Sequence, residues 1–214
     1  MKVLIGTPIH KSKDYCMERW LQNVAKLQTV YPADLLLVDN SSGLDYIKKV
    51  KGYCQKYQIT DYQTKHLDFP PLQGPKKEID EQIHERIARS RELIRQVFLA
   101  SDYDAYFYWE SDILIPTNAL NKLVDLMKVG SFWVVVHNCW VNNIPNQVNF
   151  DYGIVLFNRA VLKKYSFIPN FGTDPDKATC WYDAEIWFRK RLLKDKCTYT
   201  DVLGVIEPVY HLSK

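Results

Sequence analysis

The chain reads as an α/β protein: a Rossmann-like, mostly parallel central sheet with helices on both faces. Three observations carry this. Short apolar runs recur at residues 2–6, 34–38 and 104–109, each of the length of a buried strand. Amphipathic stretches of helical period separate them. Polar residues stand where the runs stop: Thr7, Asp39, and the pair Glu110 and Asp112. Alternating strands and helices imply right-handed crossovers, which bring every strand end to one rim of the sheet. Open α/β sheets bind their ligands at that rim.

Each element has its own signal. Lys2-Val3-Leu4-Ile5-Gly6 is the first strand, and Thr7-Pro8 breaks it into a loop through His10, Lys11 and Ser12. From Asp14, Cys16, Met17, Trp20, Leu21, Val24 and Leu27 recur at three- and four-residue spacing, a helical stripe that Pro32 ends. Residues 34–38 form the second strand, and Asp39-Asn40-Ser41-Ser42-Gly43 is turn chemistry. A helix over 44–58 and a strand within 62–67 follow. Residues 69–75 fit neither period and predict a mobile flap or a simple connector. A long helix opens at Lys76 or Glu78 and runs to Ala100. Ile79, Ile83, Ile87, Leu93, Ile94, Val97 and Phe98 give its apolar side, and it also carries Arg86, Arg89, Arg91 and Arg95. Beyond the 104–109 strand come a helix at 118–127, strands at 131–137 and 153–157 and a short helix at 159–164. A helix at 182–193 and one or two strands within 197–212 complete the chain. No repeat or linker interrupts it, so 1–214 reads as one domain.

The bulk numbers exclude several classes. A chain of 214 residues buries about 70% of its unfolded surface and needs no staples. The net charge of +3 is too weak to imply nucleic acid but suits an anionic small molecule. Cys16, Cys54, Cys139, Cys180 and Cys197 are odd in number and scattered, without C-x-x-C spacing. They predict reduced thiols rather than a zinc site or a disulfide framework. The first apolar run is too short for a signal sequence, and no run approaches a membrane span. The expectation is a cytoplasmic protein, with peripheral membrane contact left open.

The chemistry centres on Glu110-Ser111-Asp112. It follows Ala105-Tyr106-Phe107-Tyr108-Trp109, a run suited to a buried strand. Carboxylates are costly in such an interior, so they belong at the strand's C-terminal end. One intervening residue lets a turn aim both at one ion. Mg²⁺ or Mn²⁺ held this way keeps positions open for a diphosphate. The triplet alone reads more readily as a loop capping the next helix; its position after an apolar strand, with other strand ends also polar, favours the metal reading. Trp109, Trp140, Trp181, Tyr182 and Trp187 fall near these segments. Most aromatics are core, and Trp181 and Tyr182 are the pair suited to an acceptor groove. Asn138 could contact donor or acceptor, whereas His137 and Asp151 read as structural.

In its ordered motifs the chain resembles the GT-A class of glycosyltransferases, the inverting family-2 type in particular. Four features carry the resemblance: the N-terminal strand with Thr7-Pro8; Leu35-Leu36-Leu37-Val38-Asp39-Asn40-Ser41-Ser42; the run from Ile87-Ala88-Arg89-Ser90-Arg91-Glu92 to Trp109-Glu110-Ser111-Asp112; and Trp181-Tyr182-Asp183-Ala184-Glu185-Ile186-Trp187-Phe188-Arg189. The last two are similar to the family's D-x-D motif and its acidic helix start. The resemblance implies a GT-A-like fold with a nucleotide-binding half (1–112) and an acceptor-binding, catalytic half (113–214). It implies transfer from a nucleotide-sugar donor to a glycan, lipid-linked or protein hydroxyl, assisted by Mn²⁺ or Mg²⁺. Thr7, Pro8 and Asp39 would border the donor nucleotide, with Arg91 near it and Arg89 the close alternative. Asp112 would ligate the metal, with Glu110 on the metal, its water or the ribose, and His211 as a further ligand. Asp183 would be the base that takes the acceptor's proton, while Glu185 supports the helix or the acceptor. The chain departs from the family at Glu110 (usually Asp), Tyr182 (usually Glu) and Glu92 (usually Asn). Two rivals are a sugar-phosphate nucleotidylyltransferase and a non-catalytic nucleotide- or glycan-binding module. The single glycine of Gly6-Thr7-Pro8-Ile9-His10 argues against the first. Asp112, Asp183 and His211 argue against the second.

Overall fold

A computed structural model describes residues 1–137, 153–202 and 205–213; Asn138, Cys139, Trp140, the 142–149 stretch and Asp151 lie outside them. In chain order the elements are β1 (Val3–Ile9), α1 (Asp14–Gln28), β2 (Ala33–Asp39), α2 (Asp45–Lys56), β3 (Tyr62–His66) and α3 (Lys76–Ala100). Then come β4 (Ala105–Trp109), β5 (Ile113–Leu114), α4 (Ala119–Val129), β6 (Val134–His137), β7 (Ile154–Asn158) and α5 (Arg159–Lys164). The chain continues with α6 (Ala184–Lys194), β8 (Tyr199–Val202) and β9 (Tyr210–His211). Among the described residues seven strands form one sheet in the order β3-β2-β1-β4-β7-β6-β8, and β5 pairs with β9 beside it.

Pairing is parallel from β3 through β2 and β1 to β4 and again between β6 and β8. β7 is antiparallel to both its neighbours. The mostly parallel α/β sheet is therefore as expected, with one correction: β7 brings its start, not its end, to the common rim. Antiparallel neighbours need no crossover, which lets β7 fill the place between β4 and β6. The chain leaves β1 toward β2 and β3, then returns through α3 to β4 on the other side. The strand order thus reverses between β1 and β4, the position where open sheets form their ligand crevice.

Period-two alternation divides the strands between two cores. Val3, Ile5, Leu35, Leu37, Phe107 and Trp109 face one, packed by Trp20, Leu21 and Val24 of α1, Val50 of α2 and Leu120 and Leu123 of α4. Leu4, Leu36, Val38, Tyr106 and Tyr108 face the other, with Ile94 and Phe98 of α3, Leu162 of α5 and Phe188 of α6. Gly6 sits where α3 crosses β1. A Cβ there would meet Ile94 Cγ2 and Tyr106 Cε2, each at 2.5 Å, so the close approach of α3 requires glycine.

Other expectations were too short or too simple. Thr7-Pro8 does not end β1, which runs on to Ile9. The β4 ladder stops at Gly6 opposite Tyr108, so the N–H that Pro8 lacks falls where β1 is paired only with β2. The helix expected at 182–193 starts as a 3-10 turn, Trp181–Asp183, and becomes α-helical at Ala184. Residues 69–75 are fastened to their surroundings. Ser42 Oγ donates to Phe69 O (3.0 Å), Arg86 donates to Pro70 O, and Gln82 Nε2 donates to Gln73 O (2.6 Å). Cys16, Cys54, Cys180 and Cys197 are free thiols. Among the described residues no helix is long and apolar enough to cross a membrane.

Candidate active site

A cavity of 230 Å³ opens at the reversal point between β1 and β4. Pro8 and Ile9 of β1, Asn40 after β2, and Tyr108, Glu110, Ser111 and Asp112 at the end of β4 line it. His10, Ser12 and Lys13 close it from the loop after β1. Ile83, Arg86 and Ile87 of α3 and Leu72 of the 69–75 segment complete the wall. Its lining thus holds apolar surface, two carboxylates, the basic side chains of Lys13 and Arg86 and the imidazole of His10.

The carboxylate pair is strained electrostatically. Burial, and then the Asp112 charge beside it, push the Glu110 carboxyl up to about 7. Two like charges taken partly out of water disfavour double ionisation. Tyr108 Oη donates to Glu110 Oε1 at 3.4 Å. Asp112 is buried, and Lys13 Nζ forms an ion pair with its Oδ2. Asp112 Oδ1 is also buried, with no hydrogen-bond partner. The segment is fixed from outside: Leu212 N donates to Asp112 O at 2.7 Å, and Ile113 pairs with His211 across β5 and β9. This ribbon carries His211 to the stretch that follows Asp112, where it is exposed. The three side chains are not gathered into one cluster, for among the described residues no group of three or more His, Cys, Asp or Glu could hold a metal.

Several expected residues stand behind the cavity rather than in its wall. Thr7 Oγ1 donates to Trp109 O at 2.8 Å and ties β1 to β4 just below the crevice. Asp39 is fully buried; Ser41 N donates to its Oδ1 at 2.9 Å, and His66 Nδ1 lies 3.1 Å from its Oδ2. Asn40, next along the chain, takes the lining position that Asp39 was expected to hold. Arg91 is buried against α6 and β4. It donates to Glu185 Oε1 at 2.5 Å and to Tyr108 Oη at 2.8 Å, with its guanidinium 4.3 Å from the Tyr108 ring centre. Arg89 pairs with Glu85 (2.7 Å) and lies 5.4 Å from the Trp181 ring centre. The arginine of α3 that lines the cavity is Arg86, braced by Pro70 O and by the Phe69 ring at 5.2 Å. Its spacing of three residues from Ile83 puts it on that residue's side of the helix and is the signal the sequence offers. Lys13 gave no such signal, because its partner is 99 residues away.

Asp183 lies outside the cavity lining, at the end of a turn that the same helix α3 seats. Glu81 of α3 accepts from Trp181 N at 2.7 Å and Tyr182 N at 3.4 Å, and the rings of His84 and Tyr182 meet edge-on at 4.7 Å. α3 therefore lines the cavity with Arg86 and Ile87 and seats the 181–183 turn with Glu81 and His84. Asp183 Oδ2 accepts from Thr179 N (3.1 Å) and from Thr179 Oγ1. These bonds hold its carboxyl below the usual carboxylate range, so it is ionised at neutral pH. Tyr182 and Phe171 are exposed, and Phe171 meets the Trp181 ring at 4.9 Å. Trp109 and Trp187 are core.

No family model matches the chain, and no curated protein is similar in sequence. Solved structures are similar in fold. S. aureus TarS (1-349) superposes with a TM-score of 0.64 at 13% identity, over 99% of this chain and 60% of TarS. TarS in complex with UDP-GlcNAc gives 0.59 at 14% identity, over 95% of this chain and 59% of that one. The mannosyltransferase PcManGT from Pyrobaculum calidifontis, in complex with GDP-Man and Mn²⁺, gives 0.63 at 12% identity, over 95% of this chain and 55% of PcManGT. The glycosyltransferase GlyE of Streptococcus pneumoniae TIGR4 gives 0.53 at 13% identity, over 94% and 45%. The chain spans at most about 60% of the length of these proteins. With its crevice at the β1–β4 reversal and these neighbours, the chain has a GT-A-like glycosyltransferase fold.

Proposed function

We propose that this chain transfers a sugar from a nucleotide-sugar donor to a hydroxyl of a glycan, lipid-linked or protein acceptor, with inversion at the anomeric carbon. The observation that carries this reading is the cavity lining. Glu110 and Asp112 share the wall with Lys13 and Arg86 and with the apolar surface of Pro8, Ile9, Leu72, Ile83 and Ile87. A nucleoside diphosphate needs both parts: cations for the phosphates and apolar surface for the base. Pro8 would contact the nucleotide directly. Thr7, Asp39 and Arg91 would act from behind, fixing the strand ends and Tyr108. Residues 1–112 would then bind the donor, and 113–214 would supply the acceptor side and the base.

The same residues fit a hard divalent ion. Mg²⁺ and Mn²⁺ bind through one or two carboxylates and fill their remaining positions with phosphate oxygens and water. Asp112 Oδ1 is buried without a partner, and Glu110 is charged only against the cost of burial; a cation would relieve both. Glu110 and Asp112 would hold it; His211 of β9, exposed on the neighbouring ribbon, is not gathered with them. Such an ion, when bound, stabilises the charge of the departing diphosphate. Asp183 would accept the proton of the acceptor hydroxyl as that oxygen attacks the anomeric carbon. The half-buried Trp181 and the exposed Tyr182 would lie against the acceptor.

A thermal-shift panel of UDP, GDP, dTDP and CMP, with and without Mn²⁺, tests the reading. One of them is expected to stabilise the chain in a Mn²⁺-dependent way, by about 2.7 kcal/mol at a hundredfold excess over its Kd. Asp112→Ala is expected to abolish the metal dependence. No metal-dependent stabilisation by any of the four would sink the proposal.

A further inference from the structure

Lys13 is the residue of the cavity whose role is least explained by the fold. It ends the 3-10 turn Lys11–Lys13 after β1. The turn itself is anchored, since Lys11 N donates to Ser41 Oγ at 2.9 Å and Lys13 N to His10 O at 2.9 Å. The Lys13 ammonium nevertheless pairs with Asp112 Oδ2 in the cavity wall. The two side chains differ in surroundings: Lys13 is 40% exposed and Asp112 only 7%. The lysine can therefore turn on its flexible stem, whereas the carboxylate is fixed by its burial and by the backbone bond from Leu212.

An ammonium and a divalent ion compete for one carboxylate, because two cations at ligand distance from the same oxygen repel each other. A lysine displaced from Asp112 remains in the wall of the cavity, with three donors to place on an anion. Arg86 already stands in that wall, braced at Pro70 and Phe69. We propose that Lys13 is a built-in counter-ion. It neutralises Asp112 when no donor is present, is displaced by the divalent ion, and then binds the diphosphate of the donor. This rests on the donor-site reading above. It gives the site an order of events: the ion frees Lys13 from Asp112, and the freed ammonium then meets the phosphates.

The test is direct binding, not turnover. Mn²⁺ affinity is measured by titration, following the free-ion paramagnetic signal, on the full chain and on Lys13→Met. Nucleoside-diphosphate affinity is then measured by calorimetry with UDP and GDP at saturating Mn²⁺. Without nucleotide, Lys13→Met is expected to bind Mn²⁺ about five- to tenfold more tightly; with Mn²⁺, its affinity for the nucleotide is expected to fall by a similar factor. These opposite signs distinguish the proposal from a structural role, which lowers both affinities. If Lys13→Met does not fold, Lys13→Arg carries the test: its guanidinium holds Asp112 in a fork, and Mn²⁺ affinity is expected to fall below that of the wild type. Wild-type binding of Mn²⁺ and nucleotide with no gain of Mn²⁺ affinity in Lys13→Met, or no loss in Lys13→Arg where that variant carries the test, overturns the inference alone. An unchanged nucleotide affinity overturns the diphosphate contact. No Mn²⁺ binding by any of the proteins, with either nucleotide, overturns the donor-site reading and this inference with it.

Discussion

Asp183 shows how a single side chain is tuned for its proposed task. Thr179 donates to it twice, from its backbone N–H and from its hydroxyl. Both bonds favour the ionised form, so the carboxyl stays a base well into acid. Asp183→Asn keeps this geometry but cannot take a proton. It is expected to lower kcat roughly 10²- to 10⁴-fold while nucleotide affinity stays the same, as steady-state kinetics and calorimetry would show. Full activity would remove Asp183 from the mechanism. Thr179→Val deletes the hydroxyl donor and raises the Asp183 pKa toward its ordinary value of about 3.9. Because the base must be ionised, the acid limb of the kcat profile is expected to move to higher pH; an unmoved limb would disconnect Thr179 from the reaction.

At the level of elements, α3 joins the parts. It packs on β1 through Ile94 at Gly6, lines the cavity through Ile83, Arg86 and Ile87, and seats the 181–183 turn through Glu81. Gly6→Ala places a methyl 2.5 Å from Ile94 and Tyr106, both fully buried, so helix and strand must separate. The expected loss is about 1–3 kcal/mol in denaturant unfolding, and wild-type stability would show that α3 is less closely seated on β1. Much of this element was legible in the sequence: its length, its apolar side and its arginines follow from spacing alone. Which arginine meets the cavity was legible only in part: spacing puts Arg86 on the side of Ile83, but which side of α3 faces the cavity is set by what packs on each side. Asp39 makes the same point. Its place at a strand end was legible, but its saturation by Ser41 and His66 depends on β3 lying beside β2. The two-residue β5 is too short to leave a periodic signal and exists because β9 pairs with it.

Across the whole molecule, one sheet gathers residues from distant parts of the chain. β1 contributes Pro8, the loop after it Lys13, α3 Arg86 and the end of β4 the carboxylates. The α/β class, the strand-end rim and the place of Glu110 and Asp112 were readable from alternation and from where apolar runs stop. The reversed β7 and the ion pair between Lys13 and Asp112 were not, because both are set by tertiary neighbours. The central claim is that a divalent ion and a nucleoside diphosphate meet at this crevice. Crystals grown with Mn²⁺ and UDP or GDP, measured at the manganese absorption edge, test it most directly. The expected result is one anomalous peak about 2.0–2.6 Å from an Asp112 carboxylate oxygen, with the nucleotide in the cavity and Lys13 turned to its phosphates. A nucleotide bound elsewhere, or a cavity nucleotide with no manganese at Asp112, would contradict the account.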